Sequence, residues 1–253
     1  MKYGEIAANI RDRLGIAELN AMQLAVGASR SRKIMLIAPT GSGKTVAFAI
    51  ALLRSLHSSD GRVQGVVLAP SRELVLQICE AIRRIAAGLR TVAFYGGHSV
   101  TDEVNSLSQI PDIIVATPGR LLDHIRRRNV DLSRVTSLVI DEYDKSLELG
   151  FQDEMRRIVR RISDPANIVL TSATRLGEMP DFINLDGCET IDCGLDDAPC
   201  AAAPRLNIAK VESPARDKAQ TLVDLLKSLH DGRVLVFVNH RESADRTYDI
   251  LSR

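Results

Sequence analysis

Six short runs of β-branched and aliphatic residues punctuate the chain: KIMLIA (33–38), GVVLA (65–69), TVAFY (91–95), DIIVA (112–116), SLVID (137–141) and NIVLT (167–171). Each is apolar at consecutive rather than alternate positions, so each predicts a strand covered on both faces. The stretches between them carry helical patterns. Strands buried on both sides and separated by helices predict an α/β fold with a doubly wound parallel sheet. In such folds ligands bind at the carboxyl ends of the strands, so the chemistry is expected immediately after these six runs.

The rhythm breaks at LDGCETIDCGLDDAPCAAAPR, which is rich in Gly, Pro, Asp and small residues. Residues 185–205 therefore read as a linker between a first domain, 1–184, and a second pattern, 206–253. That second pattern comprises NIAKV, a helix near Lys218 to Leu229, a strand VLVFV (234–238) and a helix from Arg241. Two strands and two helices bury too little surface to stand alone, so this segment either leans on the first domain or is the beginning of something longer.

Composition narrows the class. The 253 residues are 45% hydrophobic, 26% charged and 4% aromatic, with no Trp, which suits an ordinary globular chain. A net charge of +1 excludes a global polycation, so any nucleic-acid contact must be local. The longest apolar run, VAFAIALL at 46–53, falls far short of the roughly 20 residues that span a bilayer, and the N-terminus carries no apolar signal core. A cytoplasmic monomer without a membrane partner is the expectation. Cys79, Cys188, Cys193 and Cys200 include no CxxC pair, so they read as reduced structural thiols or loop residues rather than metal ligands.

Candidate chemistry follows the strands as expected. After KIMLIA comes PTGSGKT, in which Thr40, Gly41, Ser42, Gly43, Lys44 and Thr45 form the core of a phosphate-binding loop opening a helix. Glycines let backbone N–H groups close on phosphate oxygens, Lys44 would reach the β and γ phosphates, and the Thr45 hydroxyl would ligate Mg²⁺. The first Gly of the general pattern is Ala38 here. Metal-assisted phosphoryl transfer also needs a carboxylate facing this loop. Asp141, at the end of SLVI, would hold Mg²⁺, and Glu142 would orient and deprotonate the attacking water. After NIVLT, Ser172 and Thr174 offer hydroxyls that could bond Asp144 and report the nucleotide state to a second domain. The remaining strand ends carry PSREL with Pro70, Ser71 and Arg72, YGG with Gly97, and ATPGR with Thr117, Gly119 and Arg120. Their free backbone donors, hydroxyls and arginines suit contact with a polyanion backbone. Capping or ion pairing of Arg72 and Arg120 is the structural alternative. The runs at 126–128 and 156–161 read as solvated helix faces.

Taken in order, Met22–Gln23, APTGSGKT, PSRELVLQ, YGG, PDIIVATPGRLLD, LVIDEYD with LELGF, SAT and VLVFVNHRESA resemble the DEAD-box (DExD-box) RNA helicases of superfamily 2. The resemblance runs over essentially the whole chain. It implies a RecA-like fold, ATP and Mg²⁺ as ligands, and single-stranded RNA, held by its backbone, as partner. Under it Gln23 looks like the glutamine that pairs with the N6 and N7 edge of adenine, a contact worth about 1–3 kcal/mol of base discrimination. Lys44, Thr45, Asp141 and Glu142 keep the roles derived above. Asp144, Ser172 and Thr174 look like the coupling set, and Pro70, Ser71, Arg72, Gly97, Thr117, Gly119 and Arg120 like the RNA contacts.

Three departures stand out. Tyr143 replaces the small residue of DEAD and places a phenol where it could alter packing against SAT. The aromatic residue upstream of the Q motif would precede Met1. The family's second domain continues well past VFVN and supplies the arginines that complete the ATP site. An arginine finger is worth about 10³–10⁵ in rate in related hydrolases, so this chain alone is expected to bind nucleotide, hydrolyse it slowly and not unwind a duplex. Competing readings are a nucleotide-dependent RNA-binding or assembly module and a DNA-directed superfamily 2 translocase. A small-molecule P-loop kinase explains neither SAT nor the second α/β start.

Overall fold

The computed structural model describes residues 1–97, 99–162, 165–175, 180–194, 207–214, 218–229 and 232–252. Two helices, α1 (Tyr3–Leu14) and α2 (Ala21–Ala28), precede β1 (Lys33–Ile37), α3 (Lys44–Ser55), β2 (Gly65–Leu68), α4 (Arg72–Ile85) and β3 (Thr91–Phe94). There follow α5 (Val100–Ser106), β4 (Ile113–Ala116), α6 (Pro118–Arg126), β5 (Ser137–Ile140), α7 (Tyr143–Glu148), α8 (Gln152–Val159), β6 (Asn167–Ser172) and β7 (Glu189–Asp192). The strands form one parallel sheet in the order β3-β4-β2-β5-β6-β1-β7.

Consecutive side chains on each strand go to opposite faces, which is why these runs are apolar throughout. Val67 joins a core layer with Ile34, Leu36, Val139 and Val169, against which α1 to α4 pack through Ile10, Met22, Phe48 and Ile78. Its neighbours Val66 and Leu68 join the opposite layer with Met35, Leu138 and Leu170, closed by Leu121 of α6 and Met155 of α8. The central strands are completely buried along β2, β4 and β5. Helix α3 is buried over most of its circumference, including Val46, Ala47, Phe48, Ile50 and Leu53, and this fixes the loop that precedes it.

Two findings differ from the sequence expectation. Strand β7 lies inside the stretch read as linker and pairs with β1, Ile34 opposite Glu189 through Ile37 opposite Asp192. Its polar ETID pattern is tolerated because an edge strand is covered less than a central one. The contact pattern divides the chain into Met1–Ala203 and Pro204–Arg253. In the second unit, α9 (Ala219–Ser228) and α10 (Arg241–Leu251) form as expected, but VLVFV joins no ladder among the described residues. All five of its residues are exposed, Phe237 at 89%, because an apolar run becomes a strand only with a neighbour to pair with. Cys79 and Cys188 are free thiols, and burial pushes the Cys79 thiol up to about 11, as suits an inert structural residue. Cys200 lies outside the described residues.

Candidate nucleotide site and adjoining strand-end loops

The loop between β1 and α3 is anchored where Ala38 N–H donates to the Ser172 carbonyl at 3.1 Å, tying it to the end of β6. Gly41 and Gly43 have φ of 81° and 89°, in the left-handed region where glycine is at ease. A Cβ on Gly43 would also lie 2.6 Å from Gln23 Nε2, so a side chain there would displace the Gln23 carboxamide from the loop. Lys44 opens α3 and is 7% exposed, with Nζ donating to the Ala38 carbonyl at 2.7 Å and the Pro39 carbonyl at 3.1 Å. Burial lowers its pKa, against the attraction of Asp141, Glu142 and Asp144, which places three acids around one ammonium. Ser42 Oγ is buried without a hydrogen-bond partner, a polar atom in a loop lined with backbone donors. Such a cradle fits a phosphate group.

A second contact to this loop comes from the N-terminus of α2. Asn20 caps the helix, its side chain accepting from Gln23 N–H at 2.9 Å while Gln23 Oε1 accepts from Asn20 N–H at 3.0 Å. The same two side chains then reach the loop, Asn20 Nδ2 donating to the Ser42 carbonyl at 2.9 Å and Gln23 Nε2 to the Gly43 carbonyl at 3.3 Å. One N–H and one lone pair of the Gln23 carboxamide remain for a ligand. Asn20 was not singled out in the sequence, although Asn three residues before Gln is the signature of a capping box.

The acids sit across the sheet from the lysine. Asp141 follows β5, is 2% exposed and accepts a hydrogen bond from the Thr171 hydroxyl. Burial pushes its carboxyl up to about 6, Thr171 and Lys44 holding it down and Glu142 adding to the rise. Glu142 has φ 48° and ψ 55°, a left-handed conformation rare outside glycine and costing on the order of 1–3 kcal/mol. Its N–H donates to the same Thr171 Oγ at 3.1 Å, so one hydroxyl of β6 secures both the buried acid and the turn that re-aims the next one. Thr171 was passed over in the sequence as the end of an apolar run.

Asp144 Oδ2 accepts from Ala173 N–H and Thr174 Oγ, each at 3.2 Å. Ser172 does not share this contact. Its hydroxyl donates to the Thr174 carbonyl at 2.6 Å and accepts from Thr174 N–H at 3.1 Å, which shapes the turn that presents Thr174. Tyr143 points away from these residues into the core layer with Met155 and Ile158, where burial and Asp181 raise its pKa against Arg156. The substitution of Tyr for a small residue is thus absorbed by the core rather than by the turn after β6.

A further group assembles at the ends of β2, β3 and β4. Ser71 caps α4, accepting from Leu74 N–H at 3.2 Å, and Arg72 sets its guanidinium carbon 5.0 Å from the centre of the Tyr95 ring. Gly97 has φ 92°, and a Cβ there would lie 3.5 Å from Arg72 Nη1, so PSR and YGG meet. Pro70 is buried, Gly119 exposed, and Thr117 caps α6 with its N–H donating to the Phe94 carbonyl at 2.9 Å. Arg120 Nε donates to Glu103 Oε2 at 2.5 Å, and His124 Nε2 meets the same oxygen at 2.7 Å. Glu103 Oε1 accepts from Tyr95 N–H at 3.0 Å. Burial pushes the Glu103 carboxyl up, but the bonds from His124, Arg120 and Tyr95 outweigh it and hold the group below its ordinary value. Asn129 Nδ2 meets His124 Nδ1 at 3.1 Å, and the imidazole stacks on Phe94 at 4.2 Å between centroids. This knot joins α5, α6 and the end of β3. Glu103 and His124 carried no signal in the sequence beyond their polarity.

Comparison with known proteins bears on this arrangement. Residues 20–180 match the model of the DEAD/DEAH box helicase family. The chain belongs to that family. Among curated DEAD-box relatives, it is 41% identical over 155 residues to the ATP-dependent RNA helicase DeaD of Escherichia coli K12, covering 60% of this chain and 24% of the relative. It is 38% identical over 152 residues to the ATP-dependent RNA helicase CshA of Listeria monocytogenes, covering 59% of this chain and 28% of that one. The matched stretch is thus about a quarter of each relative. Among solved structures, a DEAD box protein from Methanococcus jannaschii superposes with a TM-score of 0.66 at 26% identity, over 98% of this chain and 67% of the other. Saccharomyces cerevisiae Dbp5, solved with RNA and ADP BeF3, gives a TM-score of 0.77 over 98% of this chain and 64% of the other, and at 23% identity it shows the fold alone. The seven-stranded parallel sheet is therefore the RecA-like domain of a DEAD/DEAH box helicase. Among the described residues no cluster of three or more His, Cys, Asp and Glu side chains is placed to hold a metal, and no helix is long and apolar enough to cross a membrane.

Proposed function

We propose that this chain is the ATP- and RNA-binding part of a cytoplasmic, monomeric ATP-dependent RNA helicase, with 1–184 as first RecA-like domain and 206–253 as the opening of the second. The observation that carries the reading is the convergence at the end of β6. Its Ser172 carbonyl anchors the phosphate loop, its Thr171 hydroxyl holds Asp141 and the Glu142 turn, and Thr174 binds Asp144. A site that binds nucleotide, hydrolyses it and signals the outcome needs those three connections in one place.

Thr45 and Asp141 offer the hard oxygens that suit Mg²⁺, which takes one or two protein ligands together with phosphate oxygens. The ion would neutralise charge on the phosphates. Backbone donors of 40–45 would cradle the phosphates, with Lys44 turning from the Ala38 and Pro39 carbonyls towards the β and γ oxygens. The remaining Gln23 N–H and lone pair would read the adenine edge. Glu142, aimed by its left-handed backbone, would orient the attacking water and take its proton.

Ser71, Arg72, Gly97, Thr117 and Gly119 would hold a single strand by its phosphates and 2′-hydroxyls, which favours RNA. Arg120 serves that surface through its bond to Glu103, and buried Pro70 through the backbone turn it sets. The names of the relatives and the RNA in the Dbp5 structure support this reading. Hydrolysis by this chain alone would be slow. The test is equilibrium binding of a fluorescent ATP analogue. Lys44→Ala should weaken binding about tenfold or more, and Gln23→Ala should erase the preference for ATP over GTP. Unchanged binding in Lys44→Ala would remove the nucleotide assignment.

A further inference from the structure

We propose that a groove at the opposite end of the sheet docks an acidic peptide segment of a partner protein. The groove has a volume of about 910 Å³ and lies at the amino ends of the strands, between the segments leading into β2, β4 and β5. The candidate nucleotide and RNA residues follow the carboxyl ends of the strands, with Gln23 reaching the loop after β1 from α2, so an occupant here leaves them clear.

Two features identify the occupant. The first is charge: Arg62, Arg128, Arg134 and Arg161 all line the groove and all are exposed. Among the described lining residues the one carboxylate, Asp131, is exposed and engaged on its own loop, accepting from Ser133 N–H at 2.9 Å and Ser133 Oγ at 3.0 Å, with Arg134 near enough to attract it. Among the described residues no carboxylate lies within ion-pairing distance of Arg128 or Arg134, and Arg62 meets Asp60 only at 3.8 Å. Four exposed guanidinium groups against one carboxylate that Ser133 already engages leave a net positive surface, which suits incoming carboxylates. The second is the floor, where Val63 and Leu132 are buried and Ile110 stands 55% exposed at the rim. That surface takes aliphatic side chains.

The backbone at Arg128 is an independent sign. It occupies the left-handed position after α6, φ 59°, with its own N–H donating to the Ile125 carbonyl and Asn129 N–H to the His124 carbonyl, each at 3.0 Å. This is the helix-ending motif in which glycine or asparagine is favoured. Here a long cation is held at a conformational cost glycine would not incur, and it is held facing the groove. A single RNA strand suits the groove less well, because among the described residues no aromatic ring lines it to stack a base. A small anion suits it less well too, because small-molecule sites bury most of their ligand and this one is open along the strand ends.

The probe is a short fluorescein-labelled peptide carrying two leucines flanked by glutamates, with a counterpart in which glutamine replaces every glutamate. Anisotropy on the full chain at low salt should show saturable binding of the first and about tenfold or more weaker binding of the second. Arg128→Gly with Arg134→Ser should weaken the glutamate peptide by about tenfold, while Arg128→Gly alone leaves the melting temperature level or higher. No saturable binding, equal affinity for both peptides, or unchanged affinity in the double variant would overturn the proposal. Displacement of the peptide by single-stranded oligouridylate would assign the groove to nucleic acid and overturn it as well.

Discussion

Replacing Asp141 with asparagine should stabilise the nucleotide-free chain while removing its Mg²⁺-dependent nucleotide binding. The carboxylate is 2% exposed and its pKa rises from 3.8 to about 6, burial being the main cause. At about 1.36 kcal/mol per pH unit, the ionised form costs the fold about 3 kcal/mol at neutral pH. Asparagine keeps the acceptor for the Thr171 hydroxyl but brings an NH₂ group needing a new partner, which returns about 1 kcal/mol of that gain. The net expectation is about 1–2 kcal/mol of stabilisation. The sign with pH follows from a folded-state pKa above the unfolded one. The penalty is absent below the unfolded value, grows as pH rises from about 4 to about 6, and stays constant above. Urea denaturation of both proteins at about pH 7.5 and about pH 4.5 should therefore show a gap at the higher pH that closes at the lower. A variant less stable than the parent at neutral pH, or a gap that ignores pH, would refute the reasoning. A residue that weakens the fold in order to keep a charge is what a ligand site demands.

Glu103→Ala should cost about 3–5 kcal/mol in denaturation, because Arg120, His124 and Tyr95 N–H lose a buried partner together. Since the Glu103 carboxyl is held below its ordinary value, its contribution is present above the unfolded carboxylate pKa and lost as pH falls through the depressed one. The acid limb of a stability profile should therefore flatten in the variant. Thr171→Val should leave nucleotide affinity within about twofold but slow hydrolysis about tenfold or more, read by single-turnover kinetics, because the Glu142 turn loses its acceptor. Gly43→Ala should destabilise the loop by more than about 1 kcal/mol and weaken ATP binding, as φ 89° and the approach of Gln23 Nε2 both oppose a methyl group. Calorimetry with and without nucleotide measures both effects.

Strands β1 to β6 were legible because burial on both faces favours unbroken apolar runs, and all six appear where those runs fall. Strand β7 was not, since an edge strand made of ETID carries no apolar signature and lies in a turn-rich stretch. VLVFV shows the converse: apolar pattern alone does not make a strand among residues that offer it no partner. In the candidate site, the glycine-rich loop after β1 and the acids after β5 stood out in the sequence because the proposed chemistry dictates residue type at fixed spacing. The contacts that hold them were not. Asn20, Thr171 and Glu103 act through bonds to residues 22, 29, 30 and 17 positions away, and no local pattern reports such pairs. Arg120 illustrates the point. Its charge suggested a backbone phosphate, and only the fold reveals the carboxylate from α5 beneath it.

The most direct measurement of the central claim is the ATP hydrolysis rate of the protein as encoded in its gene, with and without single-stranded RNA, beside Glu142→Gln and Lys44→Ala. RNA should raise the rate, Glu142→Gln should abolish turnover while retaining ATP affinity, and Lys44→Ala should lose both. Wild-type rates in either variant, or equal stimulation by single-stranded DNA, would contradict the account.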